Sequence, residues 1–154
     1  MRANGAYLDA LRMLARRELS EAQVRQRLGR REHAPDVIDE AIERLREERA
    51  IDDRRVAEAI ARTETSLRKR GKLRVKRKIE SAGISSSVAK QAIDEMFGEL
   101  DADALLDAAL ARRLRHGKTI ADDREFNRLY RYLIGQGFES ERVLTALKGR
   151  KCST

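Results

Sequence analysis

The stretch "VKRKIESAGIS", Val75–Ser85, decides the fold because its apolar positions recur in two other parts of the chain. Its beginning, "VKRKI", matches "VRQRL" at Val24–Leu28, an offset of 51 residues. Its end, "IESAGIS", matches "LIGQGFE" at Leu133–Glu139, an offset of 54 residues. A regular period of this length is the signature of repeated structural units. The sequence therefore predicts three copies of one unit, at residues 1–50, 51–100 and 101–150, followed by a tail at 151–154.

Each unit has the apolar spacing of α-helices. In the third unit the stripe consists of Phe126, Leu129, Tyr130 and Leu133, at i, i+3, i+4 and i+7. A narrower stripe in the second unit consists of Val56, Ile60, Thr63 and Leu67. "SEAQ" at Ser20–Gln23 has the pattern of a capping box at a helix start. We expect an all-α protein without strands, with helices near 4–17, 20–31, 36–49, 53–69, 73–82, 86–99, 101–116, 121–136 and 140–148.

The composition of the chain favours a thin structure. Of the 154 residues, 41% are hydrophobic, only 4% are aromatic and 39% are charged, so much of the chain must face solvent. Three small three-helix units in tandem should form an elongated array. Cys152 is the sole cysteine, which excludes an intramolecular disulfide. The apolar runs are short and no signal peptide is recognisable, so we expect a soluble cytoplasmic protein.

The net charge of +8 favours a polyanionic partner. Residues 1–50 hold 11 basic and 10 acidic residues, residues 51–100 hold 12 and 8, and residues 101–154 hold 11 and 8. The excess of positive charge is therefore expected in the second and third units, and the first unit is nearly neutral.

The densest basic run lies at Ser66–Lys78, where eight of thirteen residues are Lys or Arg and none is acidic. On a helical wheel Val75, Ile79 and Ala82 face the core. Arg74, Lys76 and Arg77 face outward, and Lys78 flanks the apolar stripe. Phosphates or an acidic groove on a protein would suit these cations equally, and a merely solvated helix face is the alternative. The candidate partner-binding or nucleic-acid-binding residues are Arg68, Lys69, Arg70, Lys72, Arg74, Lys76, Arg77 and Lys78.

A second basic cluster consists of Arg112, Arg113, Arg115 and Lys118, with helix-end cations as the alternative interpretation. "GKT" at Gly117–Thr119 is not a phosphate-binding loop, because position 112 lacks the required glycine. Asp52 and Asp53 are expected to cap a helix rather than bind metal. Since no nucleophile, acid–base pair or metal-ligand set is recognisable, we expect no enzyme activity, no cofactor and no metal.

Four segments, in this order, carry a family resemblance: "SEAQVRQRL", "AIDDRRVAEAIART", "RGKLRVKRKIESAGIS" and "YLIGQGF". Their order and spacing resemble RecX, the family of bacterial regulators of the RecA recombinase, over about residues 10–147. The chain departs from the pattern at Glu32, where the later units have Gly83 and Gly137. It also has "GKLR" at Gly71–Arg74, where relatives often carry a Gly-Pro or a similar small pair.

The resemblance implies a curved, elongated array of three trihelical repeats. It implies a non-catalytic monomer that binds the RecA–ssDNA filament and inhibits RecA recombinase and ATPase activity in DNA repair, recombination and the SOS response. Direct binding to single- or double-stranded DNA is also known in such proteins, whereas a membrane is not a partner. From the residues alone, a helix-turn-helix-like DNA-binding module that does not depend on RecA is the alternative. A scaffold whose basic faces only aid solubility is a third reading.

Overall fold

The computed structural model describes residues 2–114 and 119–151. Within these residues the chain forms nine α-helices: α1 Arg2–Arg16, α2 Glu21–Arg30, α3 Pro35–Glu47, α4 Asp53–Ser66, α5 Lys72–Ser81, α6 Ser86–Glu99, α7 Ala102–Ala111, α8 Asp123–Gly135 and α9 Ser140–Lys148. No strand forms in the described ranges, where the only β-type pairing is a bridge between Ile120 and Lys151. The all-α prediction is confirmed.

The helix starts follow the capping signals in the sequence. The Ser20 hydroxyl accepts from the Gln23 amide at 3.2 Å, and the Gln23 side chain accepts from the Ser20 amide at 3.0 Å. The predicted capping box is therefore present. Asp52 caps α4 by accepting from the amides of Arg54, at 3.0 Å, and Arg55, at 3.3 Å.

Two helices end three or more residues earlier than the sequence predicts. Helix α4 ends at Ser66 rather than at 69, because Lys69 adopts a left-handed backbone with φ 52° and the Arg70 amide donates to the Glu64 carbonyl at 3.0 Å. Helix α7 ends at Ala111 rather than at 116 and is followed by a turn. The start of the predicted basic run is therefore a turn between two helices and not part of a helix.

The described residues form three hydrophobic clusters, one in each successive helix triplet. They extend over residues 6–51, 56–93 and 105–147. The predicted core positions Val75, Ile79 and Leu133 are fully buried. The accessible surface is 10050 Å², against about 7,900 Å² for a compact monomer of this mass, as expected for triplets set side by side. The unit boundaries at residues 50 and 100 stay a prediction, since the clusters mark cores and not independently folding units.

The second and third triplets meet through their backbones. The Gly71 amide donates to the Gln136 carbonyl at 2.8 Å, and the Leu73 amide donates to the Gly137 carbonyl at 3.0 Å. A Cβ on Gly71 would lie 2.5 Å from the Gly137 carbonyl carbon, and a Cβ on Gly137 would lie 2.3 Å from the Arg74 nitrogen. Because Gly137 also has φ +98°, both its space and its conformation require glycine.

The first and second triplets meet in a related way. The Ser20 hydroxyl donates to the Ala82 carbonyl, and a Cβ on Gly83 would lie 2.4 Å from the Ala22 Cβ. At both junctions the turn after the second helix of one triplet packs on the start of the second helix of the preceding triplet. Glu32, at the equivalent turn of the first triplet, has φ 64° and is exposed rather than packed on another triplet. The departure at Glu32 is thus explained, because glycine is needed for the close approach and not for the turn alone.

We expect Gly137→Ala to destabilise the protein by more than about 1–2 kcal/mol, the cost of a left-handed alanine alone, since the new methyl would also collide with α5. The matched control is Gly29→Ala in α2, where a Cβ meets nothing within 4 Å. That control should be neutral or stabilising by up to about 1 kcal/mol. Urea unfolding followed by circular dichroism measures both changes. Equal midpoints for the two variants would contradict this account of the junction.

Candidate functional site

The outer side of α5 carries exposed cations without counter-charges. Lys72, Lys76, Arg77 and Lys78 are exposed, and none of them forms an ion pair with a described residue. Val75 and Ile79 of the same helix are buried as predicted, and the four cations lie on the remainder of α5, which faces solvent. We call these four residues, with Arg68, Lys69 and Arg112, the α5 basic face.

The turn before α5 contributes less free charge than its composition predicts. The Arg68 side chain is exposed, but its guanidinium lies 3.8 Å from the Glu64 carboxylate. Lys69 is half-buried in the left-handed turn. These two residues extend the α5 basic face only at its margin.

Two of the predicted binding residues have partners within the protein, Arg70 in a largely buried ion pair and the half-buried Arg74 in an exposed hydrogen bond. The Arg70 guanidinium donates to the Glu64 carboxylate at 2.6 Å, and both side chains are largely buried. The Arg74 guanidinium donates to the Gly135 carbonyl at 3.1 Å, across the junction with the third triplet. The expectation that Arg74 faces outward is therefore wrong. Its position in the first turn of α5, beside Gly137, directs it to the neighbouring triplet instead.

Glu64 is the buried residue that the sequence did not reveal. The predicted stripe of α4 included Thr63 and Leu67, yet Thr63 is exposed and the Leu67 residue is 70% exposed. The buried side consists of Val56, Ala57, Ala61, Glu64 and Thr65. Two features of the sequence indicate this buried side. One is the small residues Ala57, Ala61 and Thr65 at i, i+4 and i+8, and the other is the single carboxylate of Glu64 just before the basic run.

The second basic cluster separates into different environments. The Arg112 guanidinium donates to the Leu67 carbonyl at 2.8 Å, which brings it to the C-terminal end of α4 beside Arg68. The Arg113 guanidinium lies over the Tyr132 ring, 4.1 Å from its centroid, within the third triplet. Of the two described residues of this cluster, Arg112 thus belongs to the α5 basic face and Arg113 does not. Residues 115–118 lie outside the described residues, and they include Arg115, Lys118 and all of the "GKT" motif but Thr119.

Asp52, Asp53 and His33 each have a structural partner. Asp53 accepts from the Glu21 amide at 2.9 Å, so it caps α2 of the first triplet while Asp52 caps α4. His33 contacts Asp9 at 2.8 Å. Across the described ranges no group of three or more His, Cys, Asp or Glu residues could hold a metal ion. No helix in those ranges is long and apolar enough to span a membrane.

Asp9 ties α1 to the end of α2. The hydrogen bond with His33 is the main cause that lowers the pKa of Asp9, and the nearby Arg31 guanidinium, at 3.2 Å, adds to it. A carboxyl whose pKa is lower in the folded state stabilises the fold above its unfolded pKa and stops doing so as pH falls through the folded value.

We therefore expect Asp9→Asn to lower the melting temperature at pH 6, where the carboxylate is ionised. As pH falls below about 3.9, the pKa of an unfolded Asp, the wild-type and variant curves should converge. Thermal melts from pH 2.5 to 6 measure the difference. A difference that widens toward low pH would contradict this assignment.

Three helix triplets with a repeated junction and an unpaired basic face define a helical-repeat protein. A family profile described as RecX, first three-helix domain, matches residues 6–45. The regulatory protein RecX of Halorhodospira halophila is 34% identical over 146 residues, covering 94% of this chain and 88% of the relative. That of Chromohalobacter salexigens is also 34% identical and covers 90% of this chain and 88% of the relative. The chain therefore belongs to the RecX family, a family of regulatory proteins.

Solved structures agree on the fold. The crystal structure of RecX from Lactobacillus salivarius superposes with a TM-score of 0.75 at 24% identity, covering 96% of both chains. A second crystal structure, of a regulatory protein RecX, gives a TM-score of 0.79 at 21% identity and covers 96% of this chain and 72% of that one.

The buried Glu64–Arg70 pair should be important for stability. Glu64→Ala leaves the Arg70 charge buried without its partner, which costs about 3–5 kcal/mol. Glu58→Ala is the control, because Glu58 pairs with Arg54 at 3.3 Å on the surface and such pairs contribute about 0–1 kcal/mol. Urea unfolding compares the two variants. If both variants unfold at the same urea concentration, the buried Arg70 charge does not need the Glu64 carboxylate for the stability of the fold.

Proposed function

We propose that this protein binds the RecA–ssDNA filament through the α5 basic face and thereby limits RecA recombinase and ATPase activity. The observation that carries the proposal is the set of exposed, unpaired cations at Lys72, Lys76, Arg77 and Lys78 on one helix. Membership of a family of regulatory proteins supports a regulatory rather than a catalytic role. The filament is a bacterial cytoplasmic assembly, which makes the cytoplasm the proposed location.

The α5 basic face also carries apolar side chains. Leu67 is 70% exposed and Leu73 is 45% exposed, and both lie within the basic run. Phosphates alone would leave these leucines in water, whereas a protein surface beside a nucleic acid can cover them. The mixture of cations and leucines therefore favours a nucleoprotein filament over naked DNA.

The position of α5 weighs against the helix-turn-helix alternative. A recognition helix contacts base edges through its N-terminal residues. In this protein Gly71 and Leu73, at the start of α5, are hydrogen-bonded to the turn at Gln136–Gly137. The third triplet thus packs on the backbone at the start of α5, and the side chains of Lys72 and Leu73 are what remains exposed there.

The decisive variant is Lys76→Glu with Arg77→Glu, which leaves Arg74 and the junction intact. Half-inhibition of RecA ATPase and strand exchange should need about tenfold more variant than wild type, because the reversed charges repel the phosphates. Arg124→Glu with Arg131→Glu, on α8, is the control with the same change in charge and should inhibit nearly as the wild type does. Circular dichroism should show equal helicity, since Glu is a good helix former.

Full inhibition by the folded α5 variant would place the contact elsewhere. Tight, sequence-dependent binding to double-stranded DNA without RecA would favour the alternative module. Both measurements use the purified chain and need no other component than RecA, ATP and DNA.

A further inference from the structure

A second concentration of positive charge lies in the first triplet, where the C-terminal ends of α1 and α2 meet. A surface cavity of about 390 Å³ is lined there by Met13 and six arginines: Arg12, Arg16, Arg17, Arg27, Arg30 and Arg31. No acidic side chain lines this cavity. We call it the arginine pocket.

The near-neutral charge of the first 50 residues conceals this pocket. Six of their eleven basic residues line it. Six of their ten acidic residues lie at positions 36–48, in and just after α3. Three of these carboxylates pair with arginines away from the pocket: Asp39 with Arg25 at 2.6 Å, Glu43 with Arg46 at 3.2 Å and Glu48 with Arg44 at 3.1 Å. The first triplet therefore has a net charge close to zero, but its positive and negative side chains are concentrated in different places.

The pocket has little counter-charge of its own. Asp9 lies 3.2 Å from the Arg31 guanidinium and 3.7 Å from that of Arg12, and it also binds His33. The remaining four arginines form no ion pair with any described residue; they are Arg16, Arg17, Arg27 and Arg30. The carboxylate of Asp9 is thus the counter-charge for two of the six guanidinium groups, and the other four have none among the described residues.

Helix geometry explains only part of this arrangement. Arg16 ends α1, and Arg27 and Arg30 lie in the last turn of α2, where a cation complements the helix dipole. That effect accounts for one or two cations at each helix end. It does not account for the convergence of both sets on one cavity, because like charges brought together repel.

We propose that the arginine pocket binds clustered phosphate groups, as presented by a nucleic-acid backbone or a polyphosphate. One guanidinium group can donate two parallel hydrogen bonds to the oxygens of a phosphate, which a Lys ammonium cannot do in the same fixed geometry. Every cation of the pocket is Arg rather than Lys. The volume falls within the range of about 300–1,000 Å³ that is usual for ligand sites. No aromatic side chain lines the pocket, so bases have nothing to stack on and binding is independent of nucleotide sequence.

This site is separate from the α5 basic face and does not depend on RecA. The pocket variant is Arg16→Gln with Arg27→Gln, and the control is Arg124→Gln with Arg131→Gln, which removes the same charge from α8. Fluorescence anisotropy measures binding of a labelled 15-nucleotide oligo-dT, and calorimetry measures binding of tripolyphosphate. The pocket variant should bind the oligonucleotide about tenfold more weakly than the control, with a salt dependence shallower by about 1.4, the slope for two lost phosphate contacts on a single strand.

Each outcome decides the proposal. Weaker binding of both ligands by the pocket variant supports a general phosphate site, and weaker binding of the oligonucleotide alone supports a site for the strand backbone. Equal binding by the pocket variant and the control overturns the proposal. It is also overturned if deca-glutamate displaces the oligonucleotide from the wild type as well as an oligonucleotide of equal charge does, since the pocket would then select charge and not phosphate. Thermal melts confirm that both variants remain folded.

Discussion

The arrangement of the triplets depends on the close approach of a glycine turn to the start of a helix. At Gly137 the backbone of the third triplet reaches the first turn of α5 without any intervening side chain. Together with the burial of Val75 and Ile79, this contact fixes the rotation of α5 about its own axis. Because the cations of α5 alternate with its core residues, that rotation decides which of them face solvent and which face the neighbouring triplet.

The junction also explains why one basic run serves two purposes. Arg70 and Arg74 lie where the triplets meet, and each has a partner within the protein. Lys76 and Arg77, two and three positions beyond Arg74 on α5, have no partner among the described residues. A high density of charge therefore does not by itself describe a binding surface. Arg70 neutralises the buried Glu64, and Arg74 donates a hydrogen bond across the junction. The other cations of the run are the ones available to a partner.

The sequence revealed what depends on local spacing. Capping at Ser20 and burial of Val75 and Leu133 follow from neighbours a few residues apart, and they were predicted correctly. The burial of Glu64 and the inward turn of Arg74 depend on residues up to 61 positions away, which no local period encodes. The arginine pocket was missed for a different reason. Its arginines come from α1 and α2, and in a sum over the first 50 residues their positive charge is cancelled by the acidic residues of α3.

Glu32 gives the array a direction. Each junction joins two different surfaces, a glycine turn on one triplet and a helix start on the one before it, so the contact is heterologous and could in principle continue without limit. A second copy could add to α8 only by presenting its own α2–α3 turn. That turn carries the Cβ of Glu32 where Gly83 and Gly137 have none. The close approach that Gly83 and Gly137 make inside the array therefore has no equivalent at the α2–α3 turn, and the two ends of the array differ in shape.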